Sequence, residues 1–183
     1  MGTDKATIRL GGVTLAERLT AIARAALPGV RVTLVAAGTE QFPTCSSSST
    51  FTRIAVRSAV RVQALTHAKT EWLFLAACDL PFITADLIGR LCSLLSGDAD
   101  AVVPIQSDGI VQPLCALYCV DPCLKKAQQM LEKQKRHRFR DFLDADRNAP
   151  GALLTRSAIY RALRTFLNIN TPADLERARL LGV

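Results

Sequence analysis

The chain has 183 residues, 49% apolar and 21% charged, with a formal charge of +7. That length suits one domain, and the apolar share excludes a mainly disordered chain. No unbroken apolar run exceeds the seven residues from Trp72 to Cys78, against about 20 for a membrane helix, and the N-terminus lacks a charged-then-apolar secretion pattern.

In chain order, Thr14 to Leu27 reads as a helix. Thr14 and Glu17 form a capping box, Leu15, Leu19, Ile22 and Ala26 line one face, and Pro28-Gly29 stops it. Val30 to Ala36 is a buried strand, with Gly38 in the loop beyond. Trp72 to Ala77 is a second, wholly apolar strand, ending at Cys78-Asp79, and Pro81 blocks its extension. Thr84 caps a helix with Leu87, Ile88, Leu91 and Leu95 inward. Ala101 to Ile105 is a third strand, Ser107-Asp108-Gly109 a turn, and Ile110 to Val120 a further extended run. Asp121 as N-cap and Pro122 at the first helical position open a helix to about Lys133, and Phe139 to Ala145 form a short one. The last helix starts at Thr171, with Asp174 three residues on and Leu175, Ala178 and Leu181 inward. Helices alternating with short buried strands predict an α/β layered fold with a mostly parallel sheet. Ligands of such sheets bind beyond the carboxyl ends of the strands.

The six cysteines include no CxxC pair, and neither His67 nor His137 lies near a cysteine pair. They read as buried, reduced thiols of a cytosolic protein rather than zinc ligands. The segment from Cys45 to Val62 has no acid and carries Arg53, Arg57 and Arg61; a second basic cluster is Lys133, Lys135, Arg136, Arg138 and Arg140. Nucleic-acid binding is one reading of these charges. The second cluster fits better as a solvated helix end or a seat for an anionic small molecule, since no aromatic-rich strand accompanies it.

Four groups of residues could carry chemistry. Asp79 directly follows an apolar strand, which lifts its carboxylate to the sheet rim. There it could ligate a hard cation such as Mg²⁺, or merely bond the backbone of a turn. Gly2 and Lys5 could bind phosphate through a backbone N–H and an ammonium, or be an ordinary terminus. Alternation puts the Asn168 and Asn170 amides on one face ahead of a capped helix. They suit a heterocycle or phosphate, or simply form a turn. Gln112, before Pro113 in an irregular extended run, could read a base or pterin edge, or face water.

Met1-Gly2-Thr3-Asp4-Lys5-Ala6 followed by Leu10-Gly11-Gly12 resembles the tail of a nucleotidyltransferase signature that opens with an LAGG loop and runs through R-x-M-G-x-D-K. Cys78-Asp79-Leu80-Pro81-Phe82 resembles the same proteins' D-[ML]-P segment. Asp108-Gly109 with Gln112-Pro113-Leu114 resembles their D-G-x-x-Q-P-L strand. Phe166 to Leu175, reading FLNINTPADL, resembles their F-x-N-[IV]-N-T-P-x-D-L ending. Together these resemble the molybdenum cofactor guanylyltransferases (MobA-like), over residues 1–44 and 63–183. The resemblance implies a Rossmann-like three-layer αβα fold formed by one domain, residues 1–183. It implies cytoplasmic, Mg²⁺-dependent transfer of GMP from GTP to molybdopterin, with transient contact to cofactor-biosynthesis proteins or acceptor molybdoenzymes. Asp79 would hold Mg²⁺, Gly2 and Lys5 would bind the triphosphate, and Asn168, Asn170 and Gln112 would contact the pterin substrate.

The sequence departs from that pattern twice. It begins inside the signature, without the family's first strand, LAGG loop and following Arg, so weak GTP binding is the expectation for these 183 residues. Between Cys45 and Val62 it lacks the family's Asp and G-P-L-[AG]-G turn. That stretch is compatible with an out-of-frame translation, since a shifted frame of Thr44 to Gln63 can encode GPLGG, or with a divergent loop. Rival readings are a cytidylyltransferase, a sugar-phosphate nucleotidyltransferase, a basic nucleic-acid binder and an inactive product whose segment 45–62 cannot complete the sheet.

Overall fold

The computed structural model describes residues 5–35, 52–55, 64–66, 68–132, 142–143, 155–160 and 164–182. The strands are β1 (Arg9–Leu10), β2 (Val13–Thr14), β3 (Arg31–Val35), β4 (Thr52–Ala55), β5 (Trp72–Ala76), β6 (Ala101–Gln106), β7 (Cys115–Cys119) and β8 (Thr155–Tyr160). The principal helices are α1 (Leu15–Ala26), α2 (Ala85–Ser93), α3 (Val120–Glu132) and α4 (Pro172–Leu180), and a 3₁₀ turn spans Lys5–Thr7.

Four strands hydrogen-bond in the order β5-β7-β6-β8. β7 runs antiparallel to both β5 and β6, and β8 is parallel to β6, so β5, β6 and β8 share one direction around a single reversed strand. β3 and β4 form a separate parallel pair, and β4 lies against β5.

The unbroken apolar run of β5 has a direct cause. Successive side chains of a strand point to opposite faces. Trp72, Phe74 and Ala76 enter one core with Leu19 and Ala23 of α1 and Leu87, Ile88 and Leu91 of α2. Leu73 and Leu75 enter another with Ala101, Val103, Tyr118 and, from α3, Cys123 and Ala127. Helices cover both faces, which makes the three-layer αβα arrangement and requires apolar residues at every β5 position.

α1 and α2 start where expected, capped by Thr14 in a full capping box with Glu17 and by Thr84. The extended run from Ile110 to Val120 is shorter than expected: only Cys115–Cys119 is strand. The preceding residues loop back so that Gln112 N–H donates to Pro104 O at 2.9 Å. α3 begins at Val120, which puts Asp121 inside its first turn and not at the cap. Of the Phe139 to Ala145 segment, Phe142 and Leu143 are described and are helical. Of the acid-free segment, Thr52–Ala55 pairs with β3, so that part does join a sheet. Besides β4, two elements had no clear sequence signal. One is β8. The other is the β1–β2 hairpin, whose turn places Gly11 and Gly12 at φ 61° and 85°, the left-handed conformation of a tight two-residue hairpin.

A third, smaller core joins the two sequence-distant segments. Ile8, Leu10 and Leu15 pack with Ile169 and Ala178, bordered by Phe82 and Leu175. No described helix is long and apolar enough to cross a membrane.

Candidate active site

Asp79 follows β5 in a turn whose backbone is pinned on two sides. Ala77 N–H donates to Leu114 O at 2.8 Å, and Asp79 O accepts from Ile169 N–H at 2.9 Å. The first bond ties the β5 end to the loop that carries Gln112. The second ties it to the Asn168-Ile169-Asn170 segment. Ile169 is buried between two exposed asparagines, the alternation that the sequence predicts.

Lys5 closes the site. Its Nζ donates to Asp79 Oδ2 at 2.9 Å and to Asn170 Oδ1 at 2.6 Å. The carboxylate side chain is 17% exposed and the lysine 25%, so the pair sits at the rim, largely screened from water. The small core beneath explains the convergence: Ile8 and Leu10 anchor the strand after Lys5, and Ile169 anchors the segment holding Asn170.

Asp174 fixes that segment, a role sequence reading assigned to it only as a helix cap. Its Oδ2 accepts from Thr171 N–H at 2.8 Å and also from Asn170 N–H at 3.0 Å. The Asn170 backbone bond, then the Thr171 side-chain and backbone bonds, hold this carboxyl below its ordinary value. The sign follows from that depression. The stabilisation is complete above the unfolded value, near pH 4, and is lost as pH falls through the lower folded value. Acid titration followed by circular dichroism should therefore show α4 and the Asn170 segment loosening below pH ~4, and less so in Asp174→Asn. Thr171→Ala should cost about 1 kcal/mol in urea unfolding.

Asn168 faces a different feature. It lines a shallow cleft with Phe82, Asp174 and Arg177 over a floor that includes Ile169 and Ala178. Gln112 stands on the rim held by its backbone, and its side chain makes no hydrogen bond among the described residues. Tyr118 secures that loop, its hydroxyl donating to Pro113 O at 2.7 Å while its ring meets Phe142 edge-on at 6.1 Å. Tyr118→Phe should lower stability by about 1 kcal/mol, read from the urea midpoint. Gly2 and the basic cluster at 133–140 lie outside the described residues.

Three of the described cysteines, Cys115, Cys119 and Cys123, are held as poor nucleophiles. Burial pushes the Cys115 and Cys123 thiols far above their usual values, and burial first, then nearby carboxylates, raises Cys119. A protonated thiol is a poor nucleophile. Among the described residues no three His, Cys, Asp or Glu side chains cluster to hold a metal. The groups that meet at the end of β5 among the described residues are the Asp79 carboxylate, the Lys5 ammonium and the Asn170 amide.

The mixed sheet with one reversed strand is a fold that solved proteins share. The solved structures agree on the fold. The molybdopterin-guanine dinucleotide biosynthesis protein A of Archaeoglobus fulgidus matches 98% of this chain and 91% of its own, at TM-score 0.67 and 21% identity. The 2-C-methyl-D-erythritol 4-phosphate cytidylyltransferase of Thermus thermophilus matches 97% and 92%, at TM-score 0.66 and 18% identity.

The family model for the MobA-like NTP transferase domain matches residues 1–149, and the chain belongs to that family. A molybdenum cofactor guanylyltransferase of Rhizobium johnstonii is 30% identical over 97% of this chain and 85% of its own length. A probable molybdenum cofactor guanylyltransferase of Natranaerobius thermophilus is 29% identical over 98% and 88%. The chain is thus an enzyme of the nucleotidyltransferase class, of the MobA type.

Proposed function

We propose that this chain transfers GMP from GTP to molybdopterin, forming molybdopterin guanine dinucleotide and releasing pyrophosphate, as one cytoplasmic domain over residues 1–183. The observation that carries the reading is the meeting of Lys5, Asp79 and Asn170 at the end of β5. They come from three segments that the nucleotidyltransferase pattern marks separately. A terminal phosphate oxygen of molybdopterin bonds to the α-phosphorus of GTP, and the bond to the β-phosphate breaks. Catalysis of this kind is mainly positioning and charge neutralisation.

The donors at the rim suit Mg²⁺. Asp79 and Asn170 offer hard oxygens, and a positive charge already sits between them. When bound, the ion would neutralise charge on the reacting phosphates. Asp79 would hold it. Lys5, with Gly2, would take the triphosphate, and the ammonium would act as a point charge on phosphate oxygens. Asn168, Asn170 and Gln112 would orient the pterin substrate. Acceptor molybdoenzymes and cofactor-biosynthesis proteins would be transient partners.

The test is incubation of the protein with Mg²⁺, molybdopterin and GTP labelled at the α-phosphate. Label should move to the pterin product, with pyrophosphate released. Transfer from CTP but not GTP would replace this reading with a cytidylyltransferase, and transfer from neither would overturn it.

A further inference from the structure

The Lys5 ammonium stands between two oxygen donors, 2.9 Å from Asp79 Oδ2 and 2.6 Å from Asn170 Oδ1. It spans them as a bound cation would. Among the described residues Asp79 belongs to no group of three or more His, Cys, Asp or Glu side chains that could hold an ion between them. A lone carboxylate binds a divalent ion weakly, because Mg²⁺ requires about six oxygens and sheds water reluctantly. Here that carboxylate also faces a competing positive charge in partly dry surroundings.

We propose that Lys5 is an internal counter-ion that keeps a divalent cation off Asp79 until a nucleoside triphosphate arrives. The phosphate oxygens supply the missing ligands and draw the ammonium away from the carboxylate, so cation and nucleotide enter together. Asn170 gives the ammonium a second seat while it leaves Asp79. The coupling is reciprocal: the nucleotide tightens cation binding by the same factor as the cation tightens nucleotide binding. This inference rests on the reading of Asp79 as a cation ligand.

Mn²⁺ titration followed by the electron paramagnetic resonance signal of the free ion tests it, with and without GTP. The proteins are wild type, Lys5→Met, Lys5→Gln and Asp79→Asn, each checked for fold by circular dichroism. Both Lys5 variants should bind Mn²⁺ alone about fivefold more tightly than wild type, the scale of a removed ion pair at a partly exposed rim. The strengthening by GTP should shrink by a similar factor. Lys5→Gln matters because it removes charge while keeping a polar side chain. Unchanged or weaker Mn²⁺ binding in both Lys5 variants, with Asp79→Asn still lowering it, overturns the counter-ion role and leaves Asp79 as a ligand. Mn²⁺ binding that Asp79→Asn does not alter overturns the ligand reading and this inference with it.

Discussion

Asp79→Ala is expected to lower the rate of GMP transfer by about a thousandfold, the scale seen when a preorganised group that manages transition-state charge is removed. The fold should survive. The turn is held through its backbone, by Ala77 N–H on Leu114 O and Ile169 N–H on Asp79 O, and neither bond uses the carboxylate. Loss of rate with the fold retained, the melting curve lowered only by the lost Lys5 ion pair, is therefore the expected pair of results, measured by pyrophosphate release and circular dichroism. Retained turnover would remove Asp79 from the chemistry.

Ile169→Ala is expected to do the opposite pairing, lowering stability and activity together. Ile169 is 1% exposed and packs with Ile8, Leu10, Leu15 and Ala178. Truncating a buried isoleucine costs about 2–5 kcal/mol, part of it for the cavity left behind. The same side chain seats the backbone that bonds to Asp79 O and presents Asn170 to Lys5. Denaturant unfolding should show the loss, and the transfer assay should show a rate falling even where the protein remains folded. A variant that loses stability but keeps full activity would separate the small core from the site.

Much of this was legible in the sequence where local rules decide. Thr14 with Glu17 and Thr171 with Asp174 mark helix starts because each pair satisfies free backbone N–H groups within four residues. The apolar run of β5 marks a strand covered on both faces. What stayed hidden depends on distance in the chain. Nothing in the spacing of Lys5 and Asn170 announces a contact across 165 residues, and only the resemblance placed them in one site. The reach of Asp174 to the Asn170 N–H was likewise masked, because a capping pattern already explained that aspartate. β7 was read too long because Ile110 to Leu114 is apolar enough for strand, yet its polar backbone groups are spent on a loop against Pro104 and Ala77.

The 165-residue separation between Lys5 and Asn170 has a consequence for synthesis. On the ribosome the lysine and its aspartate both emerge well before the amide and Ile169, which lock the turn. Closing so long a span is the slow part of folding. A nascent polypeptide halted before residue 170 would hold the acid and the base of this rim without the strap that joins them. On the proposed function, nucleotide transfer would thereby require translation through that residue.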